Sequence, residues 1–218
     1  MADGGVSDGG ARVAALVLAA GQSRRMGFPK ALLPIAGQTF VEHVIAALAA
    51  SRVAAIYLVL GCDADRIRRE VDVTTAQIVV NEQWELGQLS SLAAGLRALP
   101  PETVDGVIMA LVDHPLIDPA VVDAVIAAFE ATGRPIVVPV HHGRRGHPVL
   151  FAARLIPELL QAPLDAGARA VVRAHADEVL EVPAPAPGVL ADIDTPELYA
   201  QWVLRPESEG DRPTAEER

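Results

Sequence analysis

The chain alternates short, unbroken apolar runs with stretches whose apolar residues recur at helical spacing. Val13–Leu18 is a continuous apolar run and predicts a buried central strand. Thr39-Phe40-Val41-Glu42 opens a helix. Thr39 can cap it, Glu42 can complete a capping box, and Val41, Val44, Ile45 and Leu48 fall at helical positions. Ala55–Leu60 predicts a second strand, ended by Gly61. A polar helix near Ala64–Val71 and a strand at Gln77–Val80 follow. Ser90–Leu99 reads as a helix stopped by Pro100-Pro101, and Gly106–Val112 as another buried strand. Asp118-Pro119 supplies a cap and a first-turn proline for a helix running to Gly133. Pro135–Val140 and Pro148–Phe151 predict strands joined by the polar loop His141–His147. Arg154–Gln161 and Ala168–Ala176 read as helices, Val179–Val182 as a strand, and Thr195–Leu204 as a closing helix.

Strand–helix alternation through roughly the first 130 residues is the pattern of a mostly parallel sheet covered on both faces by helices. The fold class is therefore α/β. Residues 12–204 are expected to form a single domain. Residues 1–11 form a glycine-rich, acidic N-terminus, and residues 205–218 a charged tail expected to be disordered.

Composition narrows the choice of function. The chain has 218 residues, 51% of them hydrophobic, enough for one large core. A net charge of −10 argues against general binding of nucleic acid or anionic membrane, which needs a basic face. Cys62 is the single cysteine, so neither a disulfide framework nor a cysteine metal cluster can form. The N-terminus does not read as a secretion signal, and no apolar run approaches the ~20 residues of a membrane helix. A cytoplasmic location is expected.

Three segments carry chemistry, each at the carboxyl end of a predicted strand, where ligands of open α/β sheets bind. In the first, Ala19–Lys30, a strand feeds a loop of small and basic residues bracketed by Gly21 and Gly27. Exposed amides with Arg25 and Lys30 suit a polyphosphate, while Arg24 can point outward. The loop has neither the G-x-x-x-x-G-K-[ST] nor the G-x-G-x-x-G pattern, which argues against a P-loop ATPase and a dinucleotide dehydrogenase. The second, Asn81–Ser91, reads as a strand, a loop and a helix start with a serine cap. In the third, Asp113 of Leu111-Val112-Asp113-His114-Pro115 can cap a turn or hold Mg²⁺ against a triphosphate. His114 is a candidate general base, and His141, His142 and His147 invite a zinc reading, although no thiolate or nearby carboxylate completes a set.

The first segment, Leu18-Ala19-Ala20-Gly21-Gln22-Ser23-Arg24-Arg25-Met26-Gly27-Phe28-Pro29-Lys30, resembles the L-A-A-G-x-S-x-R-M-G-x-P-K signature of nucleotidyltransferases. The similarity is strongest to the molybdenum cofactor cytidylyltransferases and their guanylyltransferase relatives. Asn81–Ser91 resembles the family's N-x-x-W-x-x-G-x-x-S-S element, with Gln88-Leu89 where methionine and serine often stand. Asp113-His114-Pro115 resembles its D-x-P motif, with His114 in place of the usual methionine. Gly146-His147-Pro148-Val149, Asp165–Arg169 and Asp192-Ile193-Asp194-Thr195-Pro196-Glu197 resemble G-H-P-V, D-x-G-A-R and D-I-D-T-P-E. The likeness spans residues 13 to 204.

This resemblance implies a Rossmann-like, GT-A-like nucleotidyltransferase fold. It implies nucleotide contacts by Leu18, Ala19, Ala20, Gly21, Arg25, Lys30, Gly87, Ser90 and Ser91, and acceptor contacts by Gly146, His147 and Pro148. Arg144 and Arg145 are further candidates for an acceptor phosphate. Arg25, Lys30 and Asp113 are the implied catalytic groups. Mg²⁺, or Mn²⁺, would sit on Asp113 with Asp192 favoured and Asp194 open as the second ligand; the other aspartate would cap the last helix. The implied reaction passes a nucleotidyl group to the phosphate of molybdenum-loaded molybdopterin, with a molybdenum hydroxylase or its maturation factor downstream. The Leu-Ala-Ala-Gly turn favours CTP over GTP, because the Ala20 methyl crowds a purine. A sugar- or alcohol-phosphate nucleotidyltransferase and a non-catalytic cofactor chaperone are the alternatives.

Overall fold

A computed structural model describes residues 10–100 and 103–204. The expected flexible ends at 1–9 and 205–218 lie outside the described residues. The strands are β1 (Val13–Ala19), β2 (Pro34–Ile35), β3 (Gln38–Thr39), β4 (Ala55–Leu60), β5 (Gln77–Val80), β6 (Gly106–Leu111), β7 (Ile136–His141), β8 (Arg144–Arg145), β9 (Val149–Ala152) and β10 (Val179–Pro183). The α-helices are α1 (Phe40–Ala49), α2 (Ala64–Glu70), α3 (Gln88–Ala98), α4 (Pro119–Thr132), α5 (Ile156–Gln161), α6 (Ala168–Ala174) and α7 (Pro196–Tyr199).

The main sheet has the order β10-β7-β9-β6-β1-β4-β5, with β8 paired to β7. β1 pairs in parallel with both β4 and β6, and β4 with β5. The chain thus moves outward from β1 through β4 to β5, then crosses back to β6 on the other side of β1. That reversal is the topological switch point, and it opens a crevice at the carboxyl ends of β1, β4 and β6. β9 lies between β6 and β7, antiparallel to both, and β10 pairs in parallel with β7. This is a Rossmann-like α/β architecture, mostly parallel as the sequence predicts.

Why β1 is uniformly apolar follows from its two neighbours. Val13, Ala15, Val17 and Ala19 join the core packed against α1 and α4, whereas Ala14, Leu16 and Leu18 join the core packed against α3. A strand covered on both faces has no solvent side on which to alternate polar residues. The helix starts are also local. Thr39 and Glu42 form the reciprocal capping box of α1, and Asp118 accepts from the Ala120 N–H at the start of α4.

The closing helix is shorter than expected. α7 ends at Tyr199 and passes into a wider π-type turn over Ala200–Leu204. Its cap is Thr195, whose Oγ1 accepts from the Leu198 N–H, so neither Asp192 nor Asp194 has the capping role.

Outside the site, His175 bridges the helical C-terminal half. Nδ1 meets Glu178 and Nε2 meets Glu158, both at 2.8 Å. The hydrogen bond to Glu178, then that to Glu158, holds this imidazole above its ordinary range. A raised folded-state pKa gives stability that is fully present below the unfolded value and is lost as pH rises through the folded value. His175→Gln is therefore expected to destabilise the protein at pH 5.5 and to have little effect at pH 8.5. Urea denaturation at the two pH values checks this; an equal loss at both would contradict the ionic bridge.

Candidate active site

The crevice is built from strand ends. Leu18–Gly21 leave β1, Leu111–Asp113 leave β6, and Lys30, Trp84, Gly87 and Ser91 close the sides around a cavity of about 170 Å³. Gly61, at the end of β4, backs it. A Cβ there would stand 2.6 Å from both the Ala20 carbonyl oxygen and Trp84 Cβ, so only glycine lets the Trp84 segment close over the β1 turn. Forcing a methyl in should cost about 1–3 kcal/mol through overpacking. Gly61→Ala is expected to lower the denaturation midpoint and weaken nucleotide binding together. Unchanged values for both would contradict this role.

The basic loop is folded on Ser23. The Met26 and Gly27 amides donate to the Ser23 carbonyl at 3.0 and 3.1 Å, and the Lys30 N–H donates to Ser23 Oγ at 3.0 Å. These bonds turn the Lys30 side chain inward. Its Nζ lies 2.8 Å from Asp113 Oδ2 and also pairs with Asp194. Burial alone would lower the Lys30 pKa, but Asp113 and Asp194 outweigh it and hold the ammonium above its ordinary range. Arg25 pairs with Asp194 from outside. It is 72% exposed against 14% for Lys30, so solvent screens its pair and it remains free to move.

The acidic side of the site comes from two segments joined by backbone. The Ile193 N–H donates to the Asp113 carbonyl at 2.8 Å, which brings Asp192 and Asp194 beside the β6 end. Asp113, His114 and Asp192 each offer a donor atom within 4.8 Å of the others. Asp113 Oδ1 is buried with no hydrogen-bond partner among the described residues. Burial, then the Asp113 and Asp194 carboxylates, pushes Asp192 above the usual carboxylate range. A lone buried oxygen and crowded carboxylates fit a divalent cation. Asp192, the aspartate favoured by sequence, belongs to this cluster, and Asp194 is engaged with Lys30 and Arg25.

Ser90 and Ser91 do not cap α3. The helix starts at Gly87, with φ +95°, and has no side-chain cap. The Asn81 amide instead donates to Ser90 Oγ at 2.9 Å and Ser91 Oγ at 3.0 Å, while Ser90 Oγ contacts the Gly87 carbonyl at 2.8 Å. Ser91 still lines the cavity; Ser90 braces the turn behind it.

Gly146 is fixed by packing. Its Cβ would lie 2.3 Å from the Val189 carbonyl oxygen, and its N–H donates to Pro139. His147 packs on His114 with ring centroids 4.6 Å apart, and burial, ahead of the neighbouring His114, pulls its imidazole down to about 3. Burial likewise lowers the His114 pKa, although Asp113 opposes it. The three histidines of the zinc reading do not converge. His141 meets His142 edge-on and its Nδ1 bonds the Ala184 carbonyl, while His147 turns toward His114. Arg145 pairs with Glu181 at 2.8 Å on the surface. Trp84 and Ser23 were given no role by sequence reasoning, although both stand in the motifs that carry the named residues, and Gly61 was read only as the end of its strand.

Residues 15–179 match the family model described as the MobA-like NTP transferase domain. The chain belongs to this family of nucleotidyltransferases. Nicotine blue oxidoreductase of Paenarthrobacter nicotinovorans is 33% identical over 173 residues, covering 74% of this chain and 81% of that protein. The MobA-like chain also superposes on a homologue of the Mycobacterium tuberculosis protein Rv0371c from Mycobacterium sp. strain JC1. The TM-score is 0.79 at 30% identity, over 87% of this chain and 94% of that one. M. tuberculosis Rv0371c in complex with manganese gives 0.73 at 25% identity, over 89% and 100%. No helix among the described residues is long and apolar enough to cross a membrane.

Proposed function

We propose that this MobA-like chain transfers CMP from CTP to the phosphate of molybdenum-loaded molybdopterin and releases diphosphate. The observation that carries this reading is the meeting of Lys30, Asp113, Asp192 and Asp194 at the mouth of the switch-point crevice. Leu18–Gly21, Gly87 and Ser91 line the nucleotide side of that crevice, with Ser90 behind them. The acceptor lies against Gly146-His147-Pro148, next to His114.

An acceptor phosphate oxygen attacks the α-phosphorus. The new P–O bond forms as the bond from that phosphorus to the α,β-bridging oxygen breaks, and the electron pair leaves with diphosphate. A phosphate ionised near pH 7 needs no strong base, so positioning and charge do the work. Lys30 bears on the α-phosphoryl oxygens, and Arg25, released from Asp194, follows the departing diphosphate. Asp113 and Asp192 would hold a divalent cation, Mg²⁺ or Mn²⁺, whose charge offsets that of the phosphates; the manganese complex of Rv0371c supports divalent metal use.

Ala20 supports CTP, because its methyl stands at the β1 turn where a purine would press. Ala20→Gly is expected to shift the CTP:GTP ratio of kcat/KM toward GTP, and an unchanged ratio would contradict that role. We further place the catalytic unit at residues 12–204 of a cytoplasmic protein whose product passes to a molybdenum hydroxylase or its maturation factor. A second reading rests on the oxidoreductase relative. Bleaching of nicotine blue with a reduced nicotinamide nucleotide, and no transfer of CMP, would favour it.

A further inference from the structure

His114 is a polar side chain in a place that gives it nothing to do. It is 7% exposed, it follows Asp113 at the end of β6, and its Nδ1 is buried with no partner. No hydrogen bond to either ring nitrogen occurs among the described residues, although burying an imidazole unpaired is costly. The His147 ring lies against that of His114, with centroids 4.6 Å apart and planes tilted by 51°. One donor atom of His114 lies within 4.8 Å of donor oxygens of both Asp113 and Asp192, and Asp113 Oδ1 is itself unpartnered. Among the described residues, His114 and Asp113 thus each carry a buried, unpartnered atom while offering donor groups to one cluster with Asp192; Nδ1 of the adjoining His147 is unpartnered too. Lys30 pairs with the other oxygen, Asp113 Oδ2, and leaves Oδ1 without a partner.

We infer that His114 supplies a nitrogen ligand to the divalent ion held by Asp113 and Asp192, making a mixed nitrogen–oxygen site that prefers a first-row transition ion to Mg²⁺. This rests on the reading of those two aspartates as the metal-holding pair. The preference follows from donor chemistry. Mg²⁺ takes hard oxygen ligands and keeps its waters, whereas imidazole nitrogen favours the later, softer ions of the first transition row. His114 thus sets which ion is bound, while the aspartates set that an ion is bound at all.

The test is metal binding by the full chain without substrate. Co²⁺ and Mg²⁺ affinities are measured by calorimetry for the wild type, His114→Met and Asp113→Asn. Methionine fills a similar volume and keeps the site apolar. His114→Met is expected to weaken Co²⁺ by about tenfold or more and Mg²⁺ by less than about threefold, on the scale of other changes around bound metals. In parallel, the wild-type chain labelled with nitrogen-15 histidine is loaded with Mn²⁺ and read by pulsed electron paramagnetic resonance. A histidine nitrogen coupling is expected, and it does not depend on any variant folding. Equal weakening of both ions in His114→Met, or no histidine coupling while Asp113→Asn abolishes Mn²⁺ binding, overturns the nitrogen ligand and leaves the aspartate site standing. Metal binding that is indifferent to Asp113→Asn overturns the aspartate site as well.

Discussion

Asp113→Asn is expected to abolish acceptor-dependent diphosphate release while leaving the fold intact. Asp113 does two things at once. Its Oδ2 anchors Lys30 at 2.8 Å, and its Oδ1 is the unpartnered oxygen of the acidic cluster. Asparagine keeps the shape but removes the charge that would attract a cation and that holds Lys30 as an ammonium. A lost charge of this kind in a water-poor site costs more than the ~10²–10³-fold seen for a single hydrogen-bond donor. Turnover below one-thousandth of wild type is the expected reading, alongside an unchanged thermal midpoint. Diphosphate release within about tenfold of wild type would remove Asp113 from the reaction and favour a non-catalytic binding protein.

Lys30→Ala is expected to lower kcat by about 10²–10³-fold with a much smaller change in nucleotide affinity. The reason lies in the resting ion pairs. Without substrate, Lys30 is already neutralised by Asp113 and Asp194. A bound triphosphate must compete with those carboxylates, so its net gain from Lys30 is small. Charge that builds on the phosphoryl group and the departing diphosphate has no such competitor. Single-turnover rates and nucleotide titration by Trp84 fluorescence separate the two effects. A loss confined to affinity would assign Lys30 to ground-state binding.

How much of this was legible in the sequence depended on whether the deciding interaction was local. β1 showed itself because both of its faces are covered, and the starts of α1 and α4 because Thr39, Glu42 and Asp118 act within a few residues. The insertion of β9 between β6 and β7 was not legible. A buried strand has the same apolar pattern whether its neighbours run with it or against it. The serine cap expected at the start of α3 fails for a related reason. Serine at a helix start reads as a cap, but the positive φ of Gly87 begins the helix earlier and turns both hydroxyls toward Asn81.

The candidate site divides the same way. Lys30, Arg25 and Asp113 were found because they sit in segments that resemble the family signature. The division of labour between Asp192 and Asp194 needed the Ile193–Asp113 backbone bond, which joins residues far apart in the chain. The pairing of His114 with His147 also needed the fold, since β6 and β9 meet only in the finished sheet.

The most direct test of the account is to incubate the protein with divalent metal, molybdenum-loaded molybdopterin and CTP labelled at the α-phosphate, and to weigh the pterin product. An acceptor heavier by one CMP and carrying the label, formed faster with CTP than with GTP or ATP, is the predicted result. An acceptor of unchanged mass, with every nucleotide recovered intact, would contradict nucleotidyl transfer to this acceptor.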